Sequence, residues 1–350
     1  TEFCGFNTEN GKVSGLASYG RLIPELKHKL EKIISISKSG INFKRKRFQI
    51  TEPIMNNMKC ESYDRDKILR GRISKTNIYK ICEGYLPQDI ARTAEDLVSE
   101  KLIFFLKMIK KKYFKNLENI VFSGGLFLNV KINADIEKEK IFKNCFFPMS
   151  PSDSGLSLGG IFSQKISVNK KLFSKFGLSP LLGPSFSDNE IIKTINKFKL
   201  NFSLPKKIEK DISNEISRNK IVGIFNGRAE FGQRSLGSRS ILADPRNKLS
   251  KNTLNQKIKR RDWFMPFAPA IIDSEFKKFF NTMLPSLYMQ KAEVINQKYK
   301  KLIPSAVHIN NTCRAQYVDK KIFPFFWNII NEFYKKTSVP ILLNTSFNRH

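Results

Sequence analysis

Short apolar segments alternate with amphipathic ones between residues 87 and 164, and this alternation constrains the fold more than any other feature. Apolar residues recur at near-helical spacing through residues 87–116, which predicts a long amphipathic helix. The segments LENIVFSGG and NCFFPM are typical of strands, and a helical pattern follows each of them. Strands and helices in alternation predict an α/β layer with parallel strands.

A second α/β unit is predicted from about residue 188 onward. Helices are predicted at NEIIKTINKFK and KKIFPFFWNIINEFYKKT, and strands at KIVGIFNG, VHINNTCRAQYV and VPILLNTSF. Residues 171–187 are rich in Gly, Pro and Ser without periodicity, which predicts a linker. The mixed, basic residues 21–85 allow no assignment of element order.

The formal net charge is +31, which raises the question of a nucleic-acid or anionic-membrane partner. The lysines are spread along the chain without a concentrated tail, a pattern typical of a solvated surface. Neither partner is therefore the favoured interpretation. Five cysteines without a CxxC pair do not form a disulfide framework and indicate a reducing, cytoplasmic setting. No apolar run is long enough for a membrane helix, and no signal peptide is visible.

Two motifs follow the predicted strands of the first half. In FSGGLFLNVKIN, Gly124 and Gly125 let the backbone approach a phosphate, and Asn129 and Asn133 share one helix face. A tight turn with two surface asparagines is the alternative, and it is favoured when the motif is taken alone. In SPSDSGLSLGG, Asp153 lies at the usual ligand edge of an α/β sheet.

Asp153 allows two interpretations, a metal ligand or a helix N-cap, and the cap is favoured when the residue is taken alone. A metal site needs further ligands. The sequence has three histidines, at positions 28, 308 and 350, with no HxxxH or HxH pair, so any imidazole ligands lie outside it.

The segment GRAEFGQRSLGSRSILADPR places four arginines among glycines, and it is too glycine-rich for one long helix. Guanidinium groups held on turns can surround a compact, highly charged anion. Further polar residues follow downstream. Lys257 and Arg260 are interpreted as a plain basic patch, whereas the candidates for the site are Lys259, Arg261, His308, Arg314, Asn344, Thr345 and Ser346.

Together these motifs resemble the O-carbamoyltransferases of the NodU/TobZ/CmcH type. The resemblance rests on GKVSGLASYG, FSGGLFLNVKIN, SPSDSGLSLGG, GRAEFGQRSLGSRSILADPR, LNQKIKRRDWFMPFAPAI, IPSAVHINNTCRAQ and PILLNTSFN, which occur in the family's order. It implies an α/β fold in two domains. Residues 1–170 would be the C-terminal half of an actin-like (ASKHA) ATPase domain, and residues 188–350 an incomplete YrdC-like α/β domain.

The resemblance also implies an activity. The carbamoyl group of carbamoyl phosphate would pass, through carbamoyladenylate, to a hydroxyl of a small molecule or glycan. ATP would be required, with a divalent metal that the family resemblance makes Fe²⁺ and for which Mg²⁺ is the alternative. The resemblance leaves open whether the protein forms a homodimer. The alternatives are a tRNA threonylcarbamoyladenosine-type modification enzyme and a non-catalytic nucleotide-binding relative.

Site roles follow from the resemblance position by position. Arg234, Lys259 and Arg314 would be catalytic, with Asn344 and Ser346 binding carbamoyl phosphate and adenylate, and Arg228 and Arg239 assisting or structuring the turns. Gly124, Gly125, Asn129 and Asn133 would hold the nucleotide, and Asp153 the metal. Met265 stands where the family usually has arginine, so the site would lose one cation or its role would move to Arg260 or Arg261. The family's upstream histidines and catalytic aspartate have no counterpart, so we expect these 350 residues alone to be an inactive fragment.

Overall fold

The computed structural model describes residues 4, 10–37, 40–43, 77–168, 179–282 and 285–348. The chain divides into two compact units, each made of two stretches of sequence. One comprises residues 1–120 and 135–145, and the other comprises residues 121–134 and 146–350. The predicted domain boundaries at residues 170 and 188 stay a prediction. Among the described helices, none is both long and apolar enough to cross a membrane.

The first unit is mainly helical. Its elements are α1 (Asn10–Ala17), α2 (Pro24–Glu31), β1 (Ile34–Ser37), β2 (Gly40–Phe43), α3 (Asn77–Cys82) and α4 (Pro87–Tyr113). Helix α4 confirms the long helix predicted from the apolar spacing. Pro87 occupies its first turn, and three lysines occupy its last turn, where the helix dipole favours positive charge. A small core forms around Leu26, Ile90 and Leu97. Of residues 21–85, positions 38–39 and 44–76 lie outside the described residues.

Short elements occupy the next stretch of chain. They are β3 (Asn119–Val121), a 3₁₀ helix (Gly125–Leu128), α5 (Val130–Lys138), β4 (Asn144–Phe146), a 3₁₀ turn (Asp153–Gly155) and α6 (Leu156–Val168). Strands β3 and β4 form a two-stranded sheet. The strand–helix–strand–helix order predicted from the sequence is therefore confirmed for this stretch.

The rest of the second unit contains a larger sheet with helices. The helices are α7 (Asp188–Lys197), α8 (Ile208–Ser217), α9 (Ser250–Thr253), a π-helix (Leu254–Lys259), α10 (Phe276–Phe279) and α11 (Pro324–Thr337), with short 3₁₀ segments at Asp273–Glu275 and Gln297–Leu302. The strands are β5 (Val222–Phe225), β6 (Arg239–Ala243), β7 (Ala268–Ile272), β8 (Glu293–Val294), β9 (Thr312–Cys313), β10 (Gln316–Val318) and β11 (Ile341–Ser346).

Five strands form the main sheet, in the order β10-β7-β11-β6-β5. Strands β10 and β7 are parallel, whereas the other three neighbouring pairs are antiparallel. Apolar side chains of the sheet and of α11 form the core, and every residue of β7 is buried. Helices α8 and α11 are joined where the Ser213 hydroxyl donates to the Ile329 carbonyl at 2.7 Å.

The pairing of β5, β6 and β11 brings polar residues to one end of this sheet. Ser346 at the end of β11 lies opposite Ser240, and Arg239 at the start of β6 lies opposite Phe225 at the end of β5. The arginine-rich segment connects β5 to β6. Antiparallel pairing therefore places that segment beside the end of β11.

One prediction needs correction. The segment VHINNTCRAQYV is two short strands in different sheets, because a turn with Asn311 at φ +62° precedes β9, and β9 and β10 pair with different partners. The linker predicted at residues 171–187 stays a prediction, and its described part makes backbone contacts. Residues 179–184 are hydrogen-bonded to the arginine-rich segment, where Phe231 and Ala229 donate backbone hydrogen bonds to Pro180 and Pro184. Residues 171–178 of that linker lie outside the described residues.

Candidate anion-binding site

The arginine-rich segment is a compact loop organised by Glu230. One carboxylate oxygen accepts backbone hydrogen bonds from Leu236 and Ser238 at 2.7 Å and from Arg239 at 3.2 Å. Gly237 has φ +116°, and a Cβ there would lie 2.4 Å from the Phe326 ring. These contacts make the loop a rigid support for its side chains, and the expectation that it is not one helix is confirmed.

Three of the four arginines in this loop bind the protein itself. Arg228 donates to the Leu182 carbonyl at 2.9 Å. Arg239 donates to carbonyls on both sides of its turn and stacks 3.7 Å from the centroid of the Phe225 ring. Arg246 forms an ion pair with buried Asp244, with its Nη2 atom 2.6 Å from the carboxylate. Such geometry favours the turn-structuring role for Arg239.

Arg234 differs from these three. Its single hydrogen bond within the described ranges is a long one of 3.5 Å, from Nη2 to the Leu128 carbonyl. Burial lowers its pKa. The Nε atom is buried and has no hydrogen-bond partner in the described part of the chain. An unpaired buried donor is costly, so this guanidinium is arranged for an acceptor that the loop does not supply.

Lys259 ends the π-helix and is fully buried. Its ammonium donates to the backbone and side-chain oxygens of Ser346, each at 3.0 Å, and also to Asn348. Burial, followed by the nearby charge of Arg261, lowers the pKa of Lys259 to about 8. The next residue, Arg260, is exposed and adopts a left-handed conformation with φ +49°.

Arg261 turns back toward the protein. Its Nε atom donates to the Asn255 side chain at 2.8 Å, and its guanidinium lies 4.6 Å from the centroid of the Phe267 ring. Burial lowers its pKa to about 10, an effect that Asp262 partly offsets. Of the two residues predicted to replace the arginine missing at Met265, Arg261 is half-buried and interacts with Lys259 and Arg314, whereas Arg260 is exposed.

Arg314 lies between β9 and β10 and links the cations electrostatically. Its pKa falls well below its usual range through burial first, and then through repulsion by Arg234 and Arg261. Its Nε atom is buried without a hydrogen-bond partner in the described residues. Within the same ranges, Arg234, Lys259 and Arg314 form no salt bridge with an acidic side chain. Arg314 thus interacts directly with Arg234, whereas Lys259 is linked to Arg314 only through Arg261.

His308 also interacts with Arg314. Burial, followed by the charges of Arg314 and Lys251, lowers its pKa to about 3, so the imidazole is neutral at ordinary pH. Its Nε2 atom is buried and has no hydrogen-bond partner in the described ranges. We define the anion-site cluster as Arg234, Lys259, Arg261, His308 and Arg314. Uncompensated cations with unpaired N–H groups can bind a compact anion such as phosphate.

The polar residues at the end of β11 support this cluster. Ser346 is one acceptor of the Lys259 ammonium. Asn344 is buried, and its amide donates to the Ser235 carbonyl at 3.0 Å and to the Gln316 side chain at 2.9 Å. Both amide hydrogens are thereby used to join β11 to the arginine-rich loop. Ligand binding by Asn344 and Ser346 stays a prediction.

The glycine turn after β3 lies against the loop that carries Asp153. The Gly124 amide donates to the Pro151 carbonyl at 2.6 Å. Gly124 has φ +117°, and no atom lies within 4 Å of a Cβ built at Gly124 or Gly125, so there is open space beside this turn. Asp153 is exposed in its 3₁₀ turn. The glycine turn and the loop that carries Asp153 are therefore adjacent.

The two asparagines predicted to bind a nucleotide make different hydrogen bonds. The Asn129 side-chain oxygen accepts from the backbone amides of Lys131 and Ile132, as a helix cap does. Asn133 is fully buried, and its amide donates to the Phe127 and Gln290 carbonyls, each at 2.8 Å. The tight-turn alternative predicted two surface asparagines, and this is wrong for Asn133, which is buried. Nucleotide binding by Gly124, Gly125, Asn129 and Asn133 stays a prediction.

A metal at Asp153 would need ligands beyond the described residues. In those residues, no three His, Cys, Asp or Glu side chains come together in a group that could hold a metal ion. A single carboxylate does not form a metal centre. The described residues alone do not complete a metal site, so no chemical step is assigned to a metal, and the metal role of Asp153 stays a prediction.

Gln233 joins the arginine-rich loop to the Asp153 turn. Its amide nitrogen lies 2.7 Å from the Ser152 hydroxyl and 2.9 Å from the Ser154 hydroxyl. Beside it, Gly232 has φ +108°, and a Cβ there would lie 2.4 Å from the Met149 carbonyl oxygen. Neither residue was singled out from the sequence. A Phe-Gly-Gln run next to arginine carries no signal for a contact with residues about 80 positions earlier.

Comparison with known families assigns both halves of the chain. Residues 1–161 match the family described as Carbamoyltransferase N-terminus, and residues 213–350 match the one described as Carbamoyltransferase C-terminus. The chain belongs to the carbamoyltransferase family. The resemblance seen in the sequence motifs is thereby confirmed, and the anion-site cluster lies within the C-terminal match.

Individual relatives agree with this assignment. An uncharacterized protein of Methanocaldococcus jannaschii is 27% identical over all of this chain and 55% of its own length. Nodulation protein NolNO of Sinorhizobium fredii is 29% identical over 67% of the chain and 35% of its own length. Nodulation protein U of Rhizobium fredii is 28% identical over 66% of the chain and 38% of its own length. The chain spans about half the length, or less, of these curated relatives.

Proposed function

We propose that this chain is part of a cytoplasmic, ATP-dependent O-carbamoyltransferase. Carbamoyl phosphate, ATP and water would give carbamoyladenylate, pyrophosphate and phosphate, and an acceptor hydroxyl would then take the carbamoyl group and release AMP. Family membership supports carbamoyl transfer in general. The observation that carries the finer proposal is the anion-site cluster, in which Arg234, Lys259 and Arg314 form no salt bridge with an acidic side chain of the described residues.

The cluster suits the first half-reaction. Carbamoyl phosphate and the ATP phosphates are compact polyanions, and Arg234 and Arg314 each hold a buried, unpaired N–H. In a site shielded from water, fixed cations stabilise charge that develops on phosphoryl oxygens, and they need no rearrangement during the reaction. We assign Arg234, Lys259 and Arg314 to this role, with Arg261 as a further cation.

The second half-reaction is assigned to the glycine turn and the Asp153 turn. Open space beside Gly124 and Gly125 would receive the adenylate. This division corresponds to the proposed domains, an actin-like residue range 1–170 and a YrdC-like range 188–350. Gln233, which contacts the Asp153 turn, is the chain neighbour of Arg234 in the first site.

The proposal is tested by pyrophosphate release from the full-length protein. Release should require both ATP and carbamoyl phosphate. Arg314→Ala should reduce the rate by about 10²–10³-fold, the usual effect of losing a preorganised charge-stabilising group. Arg218→Ala is the matched control, because Arg218 is exposed and pairs with Glu215 on α8. Release that ignores carbamoyl phosphate, or an Arg314→Ala variant as active as the control, would refute the proposal.

A further inference from the structure

His308 has a backbone fixed by hydrogen bonds, although its Nε2 atom has no hydrogen-bond partner in the described residues. Its backbone amide donates to the Thr312 carbonyl at 2.9 Å, and its carbonyl accepts from Asn311 at 3.1 Å. These bonds close a tight turn, in which Asn311 has φ +62°. Because β9 follows directly, the turn ties His308 to the strand that leads into Arg314.

The surroundings of this ring offer it no acceptor. Its charged neighbours are Arg314 and Lys251, both cations, and its buried Nε2 atom has no hydrogen-bond partner in the described part of the chain. An Nε2 lone pair could accept from Arg314, yet no such bond forms. The other tautomer, with a proton on Nε2, needs an acceptor that has to come from a ligand.

We propose that His308 is a substrate-contacting residue, whose neutral imidazole donates a hydrogen bond from Nε2 to an oxygen of the phosphate-bearing substrate at the anion-site cluster. This inference rests on the proposed function. In the described residues, three buried nitrogen atoms lack hydrogen-bond partners, one each in Arg234, Arg314 and His308, and Arg314 interacts with both of the others. An oxyanion satisfies all three, because each can present an N–H and none has to accept.

A neutral donor has an advantage over another cation here. Arg234 and Arg261 already repel Arg314, and a further charge would add to that repulsion. A neutral imidazole N–H adds a directional hydrogen bond without adding charge. His308 would therefore fix the orientation of the bound oxyanion, while the arginines and Lys259 neutralise it.

The test measures binding of inorganic pyrophosphate to the full-length protein by calorimetry. His308→Ala should weaken binding by about ten-fold, the effect of one hydrogen bond to a charged group. His308→Gln should stay within about three-fold of the parent, because its amide N–H can replace Nε2–H. The dependence of affinity on salt should be unchanged in both variants, whereas Arg314→Ala should weaken binding and flatten that dependence.

A spectroscopic readout separates ligand contact from a structural role. The ¹⁵N signals of the His308 ring in the full-length protein can be assigned by comparison with His308→Gln. Pyrophosphate should shift the Nε2 signal while that nitrogen stays protonated. If Arg314→Ala weakens binding but His308→Ala does not, or if the Nε2 signal does not respond, the role of His308 is wrong. If Arg314→Ala has no effect either, the anion site itself is wrong, and with it the proposed function.

Discussion

The buried ammonium of Lys259 donates a hydrogen bond to the hydroxyl oxygen of Ser346, 3.0 Å away. The two residues are separated by 87 positions and lie at the ends of a π-helix and of β11. This contact orients a buried charge at the end of the sheet beside the arginine-rich loop. The reactivity we assign to the site depends on that charge.

Lys259→Ala should abolish pyrophosphate release from ATP and carbamoyl phosphate, because the phosphoryl oxygens lose one fixed cation. A loss of about 10²–10³-fold is expected. Supplying carbamoyladenylate should largely restore transfer to the acceptor, since that step is assigned to the other site. Lys257→Ala is the matched control, because Lys257 lies on the same π-helix but is exposed. Equal loss with carbamoyladenylate would contradict the division of labour.

Pyrophosphate binding should weaken as pH rises above about 8. Burial lowers the pKa of Lys259 from 10.5 to about 8, so the side chain is charged below that pH and neutral above it. Calorimetry across pH 7–9.5 measures the step, and Lys259→Met should remove it. Stability should change in the opposite sense. Between the two pKa values the unfolded chain binds the extra proton, so this group's contribution to stability rises with pH.

Gly232→Ala should destabilise the protein more than Gly227→Ala does. Both glycines have positive φ, but a Cβ at Gly232 would meet the Met149 carbonyl oxygen at 2.4 Å, whereas at Gly227 it would meet nothing within 4 Å. Gly227→Ala should cost about 1 kcal/mol, and Gly232→Ala at least about 3 kcal/mol. Urea unfolding of both variants measures the difference. Equal costs would mean that the two loops are not in close contact.

Asp153→Asn should lower the metal content of the full-length protein and reduce carbamoyl transfer from carbamoyladenylate. The amide keeps the shape of the side chain but removes the anionic ligand that a divalent cation prefers. Elemental analysis and the transfer assay measure the two effects, with Asp188→Asn on exposed α7 as control. Unchanged metal content and transfer would show that Asp153 is not a ligand.

Local patterns in the sequence were enough for the regular elements. Apolar spacing predicted α4, and the Ser187–Glu190 capping box marks the start of α7 where a helix was predicted. These features depend on residues within a few positions of each other. The broken strand at residues 307–318 was missed, because its division depends on pairing with β8 and β7, which are distant in the chain.

The sequence by itself determined the family and the candidate cations, because both depend on residue types in a fixed order. Only the tertiary structure decided which cations share a site. Arg239 and Arg246 lie in the same segment as Arg234, yet they bind carbonyls and Asp244, whereas Arg314, 80 positions away, repels Arg234 directly. Burial and the absence of a nearby acid in the described residues make a cation available to a ligand. Both properties arise from contacts between distant parts of the chain, and local sequence does not encode them.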